Sequence, residues 1–148
     1  MTTQPFVTFR VGSQTFALPL AAVQQVIRLP ALTLIAGAPP FVVGLLDLYG
    51  HVIPVLWGHR LLDQPPTVHL DSMVIVIGLD ADHLQLGLLV DEVYKVCHAS
   101  SDTMTPLRLG SNILSMSLRS DEGVIPVLDP TALHALTVTC TEVGQEAS

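Results

Sequence analysis

Apolar positions along this chain fall into short runs of Val, Ile, Leu, Phe and Thr cut by Gly, Pro, Asp and Ser, which is a strand pattern. The runs predict strands over 6–11, 15–18, 23–29, 42–48, 52–56, 73–77, 84–90, 93–97 and 124–128. Gly12-Ser13, Tyr49-Gly50-His51 and Asp80-Ala81-Asp82 supply turns between them. One helix is predicted near the end. Asp129 can cap it, Pro130 suits its first position, and Leu133 and Leu136 give it an apolar edge. The tail from Thr139 to Ser148 is polar and expected to fray. The uncharged stretch from Leu29 to Leu46 is interrupted by Pro30, Gly37, Pro39, Pro40 and Gly44, so it reads as strand, loop, strand and not as a membrane span.

An internal repeat organises these strands. The string VIPVL occurs at Val52–Leu56 and again at Val124–Leu128, and Val23-Gln-Gln-Val26 and Val90-Asp-Glu-Val93 each follow a predicted hairpin. Two copies at so long a period are expected to form a duplicated small barrel sharing one core, with a groove between the lobes. The expected domain is 1–138, with lobes over roughly 6–65 and 70–130, exchange of strands between them left open, and 139–148 as tail.

Composition narrows the function. The 148 residues suit one domain, and 49% hydrophobic with 13% charged residues implies either deep burial or an apolar surface waiting for a partner. Six basic residues are scattered singly against thirteen acidic ones, so no basic stripe exists for nucleic acid or an anionic membrane surface. The first residues lack the charged and apolar regions of an export signal, and a cytoplasmic protein is expected. Cys97 and Cys140 have no metal or redox spacing and read as reduced thiols.

No catalytic constellation is found. The histidines at 51, 59, 69, 83, 98 and 134 are each isolated in sequence and read as surface or turn residues, with no metal-ligand spacing. There is no G-x-S-x-G elbow and no Gly-rich phosphate loop. Asp47 and Asp129 lack the Thr/Ser-Gly turn of an aspartic-protease dyad and read as a turn residue and a helix cap. Asp71, Asp80 and Asp82 lack the ligand spacing of a calcium loop. The chain is therefore expected to be no enzyme and to need no cofactor or metal.

From Phe6 to Leu136 the motifs resemble the CheW-like coupling proteins of bacterial chemosensory arrays. The first lobe carries F-x-x-G-x-x-x-F-A-L-P from Phe9 to Pro19, V-Q-Q-V at Val23–Val26, P-x-F-V-x-G ending at Gly44, then Asp47-Leu48-Tyr49-Gly50 and the first VIPVL. The second carries G-L-L-V-D-E-V from Gly87 to Val93 and VIPVLD ending at Asp129. What the resemblance implies is a mostly β fold of two five-stranded SH3-like barrel lobes packed together, with a short C-terminal helix. It also implies a non-catalytic adaptor that links the cytoplasmic tip of chemoreceptors to the regulatory domain of a CheA-type histidine kinase, in a chemotaxis or pilus-type pathway. Such an adaptor sits in the cytoplasm at receptor arrays, without inserting into the membrane. Receptor hairpins would dock between the lobes and the kinase domain against barrel ends.

Carried over by motif position, the partner-binding candidates are Val23, Gln25, Gly44, Asp47, Tyr49, Gly50, Trp57, Gly87, Val90, Asp91 and Val93. Three departures stand out. Gln25 replaces the usual Glu, Tyr49 stands where Arg is common, and Trp57-Gly58-His59 replaces Asp-Leu-Arg. A large aromatic at such a turn is either an interface anchor or a core plug. The competing expectation is a small-ligand sensor using the inter-lobe groove, favoured if polar groups converge in a closed cavity.

Overall fold

A computed structural model of the chain describes residues 3–79, 84–107, 113–121 and 123–137. The expected Asp80-Ala81-Asp82 turn, Cys140 and the tail from Thr139 lie outside the described residues. The strands are β1 (Thr3–Val11), β2 (Gln14–Pro19), β3 (Val23–Arg28), β4 (Val42–Leu48), β5 (His51–Trp57), β6 (Met73–Leu79), β7 (Leu84–Val90), β8 (Glu92–Ser100), β9 (Met104–Pro106), β10 (Leu114–Ser120) and β11 (Gly123–Leu128). A single helical turn, α1 (Gly58–Leu61), follows β5, and the helix α2 covers 130–137. Every predicted strand is present. β9, β10 and α1 were not predicted.

The strands form a six-stranded sheet in the order β8-β1-β2-β11-β10-β9 and a five-stranded sheet in the order β3-β6-β7-β5-β4. The expected five strands per lobe hold for the second lobe, whereas the first gains a sixth in the three-residue β9. The two orders superimpose strand by strand, with β8, β1, β2, β11 and β10 matching β3, β6, β7, β5 and β4. Both copies of VIPVL therefore occupy the same place. In each, the proline precedes the parallel contact with the neighbouring hairpin: Val55 pairs Gly87 after Pro54, and Val127 pairs Ala17 after Pro126. A residue without an N–H is tolerated there because the parallel ladder begins only at the next position.

The sheets do not divide the chain between residues 65 and 70. β3 follows the hairpin β1–β2 but pairs with β6, while β8 follows the hairpin β6–β7 but pairs with β1. The second sheet is thus built from the continuous stretch 23–90, and the first from the segments on either side of it. This topology makes three hydrophobic cores. Phe6, Ala17, Ala99, Leu118 and Val127 fill the first lobe, and Leu46, Leu48, Ile53, Val55, Val74, Val76 and Leu89 fill the second. Between them lies a larger shared core that includes Phe9, Phe16, Leu56, Ile75, Leu88, Leu128 and Leu133 of α2. Alternation assigns the two faces: on β6, Val74 and Val76 point into the second lobe while Ile75 and Ile77 point into the shared core. With both faces buried, β6 reads as the continuous apolar run Met73–Ile77.

The inter-lobe joint and the candidate partner surfaces

The chain crosses from the second lobe to the first at Asp91, between β7 and β8, and this carboxylate is almost wholly buried at 5% exposure. Its Oδ2 accepts a hydrogen bond from the Gly12 N–H of the β1–β2 turn (2.6 Å) and lies 2.8 Å from His59 Nε2 on α1. The Asp91 N–H donates to the Arg10 carbonyl (2.9 Å). The Arg10 guanidinium lies 3.6 Å from Oδ2 and donates to the Gly12 carbonyl (2.7 Å). One carboxylate therefore bonds both lobes at the point where the chain changes between them. A buried anion needs such partners to offset its desolvation.

His59 is fully buried, so the expectation of a surface or turn histidine is wrong. Its position follows from Gly58, where a Cβ would meet the Leu89 carbonyl at 2.6 Å. Without a side chain at 58, α1 lies directly on β7, and the next residue faces Asp91. His59 Nδ1 has no hydrogen-bond partner. A buried lone pair costs less left idle than a buried N–H, so the geometry places the proton on Nε2, donating to Asp91. Sequence reasoning missed this pair, although an acid at 91 and a basic side chain at 59, where the family motif has Arg, were both visible.

Above Asp91 a half-open cleft of about 630 Å³ lies between the lobes, lined by Arg10 and Glu92 of one and Arg28, His69 and Asp71 of the other. Polar groups converge here, but both signs are present and several pair with one another. Arg10 lies 3.8 Å from Glu92 and His69 Nε2 lies 3.5 Å from Asp91 Oδ1, with Leu70 fully exposed on the rim. The cavity is neither closed nor of one sign, so it does not favour the small-ligand expectation.

The other candidates separate into three groups. Gly44, Gly87 and Val90 are interior, as is Asp91. A Cβ on Gly44 would meet the Thr33 carbonyl at 2.7 Å, where the 29–41 loop crosses β4, and one on Gly87 would meet Val74 Cγ1 at 2.8 Å. These four act through packing or the joint and present no side chain to a partner. Val23, Gln25 and Val93 are half-buried on strands β3 and β8, which form one outer edge of each sheet. Asp47, Tyr49 and Gly50 are exposed at the β4–β5 turn.

The two aromatic departures have opposite fates. Trp57 packs against the second-lobe core, its Nε1 donates to the Thr67 carbonyl (3.4 Å), and Arg60 lies over its ring at 5.2 Å. It is a plug. Tyr49 is 87% exposed and sits at φ 52°, followed by Gly50 at φ 86°. Positive φ at both residues of a two-residue loop is the pattern of the hairpin turn that favours Asn-Gly. A tyrosine in that conformation costs about 1 kcal/mol. The Asp47 carboxylate accepts from the Gly50 N–H (3.0 Å) and holds the turn in shape.

The family model described as CheW-like domain matches residues 5–137 of this chain. The chain is similar to the chemotaxis protein CheW of Klebsiella aerogenes, with 26% identity over 103 residues, 70% of this chain and 61% of that protein. It is also similar to protein PilI of Pseudomonas aeruginosa, with 29% identity over 99 residues, 66% of this chain and 54% of that one. The matched region thus spans under two thirds of either relative. Among solved structures, the scaffolding protein TtCheW of Thermoanaerobacter tengcongensis superimposes with a TM-score of 0.78 at 20% identity, covering 86% of this chain and 90% of that one. That likeness concerns the fold.

Proposed function

Because the chain belongs to the CheW-like family, whose model spans residues 5–137, we propose that it is a non-catalytic adaptor joining chemoreceptor tips to the regulatory domain of a CheA-type histidine kinase. The observation that carries this is the way the chain distributes its polar groups. Its buried charged cluster is committed to joining the lobes, while the β4–β5 turn is exposed and β3 and β8 lie at sheet edges. An adaptor works through such surfaces, with strand edges and barrel ends offered to two different partners. Among the described residues no helix is long and apolar enough to cross a membrane, so attachment to an array would run through the receptors. Similarity to PilI supports a pilus-type pathway as the setting, alongside chemotaxis.

The experiment is affinity capture of the tagged full chain from its own cells after brief cross-linking, with the bound proteins identified. Recovery of a chemoreceptor together with a CheA-type kinase is the expected result. Recovery of neither, with the bait abundant and folded, would overturn the proposal. Deleting the gene distinguishes the setting: loss of surface motility by pili marks one pathway and loss of swimming bias the other.

A further inference from the structure

We infer that the segment 62–72, which joins α1 to β6, is a proton-operated strap: His69 draws it onto Asp91 when charged and lets it lift from the inter-lobe cleft when neutral. The segment has firm ends and a loose middle. At one end Leu62 is buried and Gln64 Oε1 accepts from the Ser13 N–H (3.2 Å). At the other, Ser72 is fully buried, its carbonyl accepts from the Leu29 N–H (3.0 Å), and its hydroxyl accepts from the His69 N–H (2.8 Å). Residues 65–71 between them are all exposed. Pro65 and Pro66 stiffen this stretch, so it moves as an arm. Its polar contacts with the body of the protein are all long: the Thr67 carbonyl accepts from Trp57 Nε1 at 3.4 Å, the Thr67 hydroxyl lies 3.3 Å from His59 Nε2, and His69 Nε2 lies 3.5 Å from Asp91 Oδ1. A segment held in this way opens locally at little cost.

Asp91 supplies the pull. Its side chain is 1% exposed, and its Oδ2 is taken up by the Gly12 N–H, His59 and Arg10, whereas its Oδ1 has no hydrogen-bond partner among the described residues. A buried carboxylate oxygen with idle lone pairs favours a charged donor, and His69 stands beside it. Histidine is the ordinary side chain that gains its charge between pH 8 and pH 5. The other charged residues lining the cleft are Arg10 and Arg28 against Asp71 and Glu92, two of each sign, so Asp91 decides the direction. His59 is not the sensor. It already serves Oδ2, and a second proton, on Nδ1, would bury an N–H that has no acceptor. Charging of His69 therefore closes the strap as the pH falls. Leu70, 97% exposed on the rim, travels with it, so the mouth of the cleft is narrower in mildly acid than in alkaline solution. The device stands independently of the adaptor reading.

Trp57 reports on the strap, because it is the single tryptophan and its Nε1 donates to the Thr67 carbonyl. The test is quenching of its fluorescence by acrylamide, a neutral quencher, in the full chain between pH 8 and pH 6, with circular dichroism confirming an unchanged fold across that window. A part-exposed ion pair shifts a closing equilibrium about two- to fivefold, so the quenching constant of the native chain should fall by roughly half as the pH is lowered. His69 is more than half exposed, so its variants should fold. His69→Gln should quench at the high-pH value throughout, and His69→Arg, charged at every pH, at the low-pH value throughout. A native quenching constant that does not change with pH overturns the inference. So does a pH dependence that survives in His69→Gln, which would place the titrating group elsewhere, or an Arg variant that quenches like the Gln variant.

Discussion

Replacing Asp91 by alanine is expected to lower the free energy of unfolding by about 3–5 kcal/mol, because removing one partner of a buried ionic cluster strands the others. The Gly12 N–H and the His59 Nε2–H would lose their acceptor inside the protein, and the Arg10 guanidinium would lose its nearest buried counter-charge. For a domain of this size that corresponds to a fall in melting temperature of roughly 10 °C. The native stability of such domains is about 5–15 kcal/mol, so the variant should still fold and be measurable in urea. The double variant His59→Leu with Asp91→Leu should cost less than the two single changes added together, since each leucine removes a polar group that the other would have left unpaired. Strict additivity of the two would show that the carboxylate and the imidazole are not coupled, and that the joint is misassigned.

How far the molecule was legible depends on which interactions leave a local trace. Alternation and turn residues mark β1 to β8 and β11, most plainly where a strand buries an apolar run such as Val74–Ile77 or Leu86–Val90. β10 alternates Leu114, Met116 and Leu118 with Ser115 and Ser117, a period of two that a search for continuous runs of Val, Ile and Leu passes over. β9 has three residues and ends in Pro106, too short for any pattern. The repeat correctly announces two lobes, yet the partner of each edge strand is a long-range choice. Nothing local in Val23–Arg28 says that it pairs with β6 and not within its own hairpin. His59 was misread for the same reason: its partner lies 32 residues away, brought near by the parallel pairing of Trp57 with Leu89. Of the eleven candidate site residues, three lie on the exposed turn, three are half-buried on edge strands, Trp57 packs half-buried on the second-lobe core, and four glycine, valine and aspartate positions are interior for reasons a motif cannot reveal.

The core shared between the lobes predicts that they unfold as one, and the single tryptophan makes this testable. Trp57 packs on the core of the second lobe, whereas Phe9 belongs to β1 in the first and stacks with its cross-strand partner Phe16 at 6.2 Å between ring centres. Phe9 is wholly buried in the shared core, so Phe9→Ala should cost about 3–5 kcal/mol in lost apolar contact and residual cavity. If each lobe were an independent unit, that loss would leave the fluorescence transition of Trp57 where it was and split it from the loss of strand signal in circular dichroism. Because both lobes pack on the core that holds Phe9, Leu56, Ile75 and Leu128, and Asp91 ties both sides, neither lobe keeps its packing when the other opens. The expected result is therefore one coincident transition by both probes, shifted together to lower urea with an unchanged slope. A tryptophan midpoint that stays fixed while the dichroism midpoint falls would show that the shared core does not couple the lobes. The orientation of the barrel ends and the free strand edges would then not be held by the monomer's own fold.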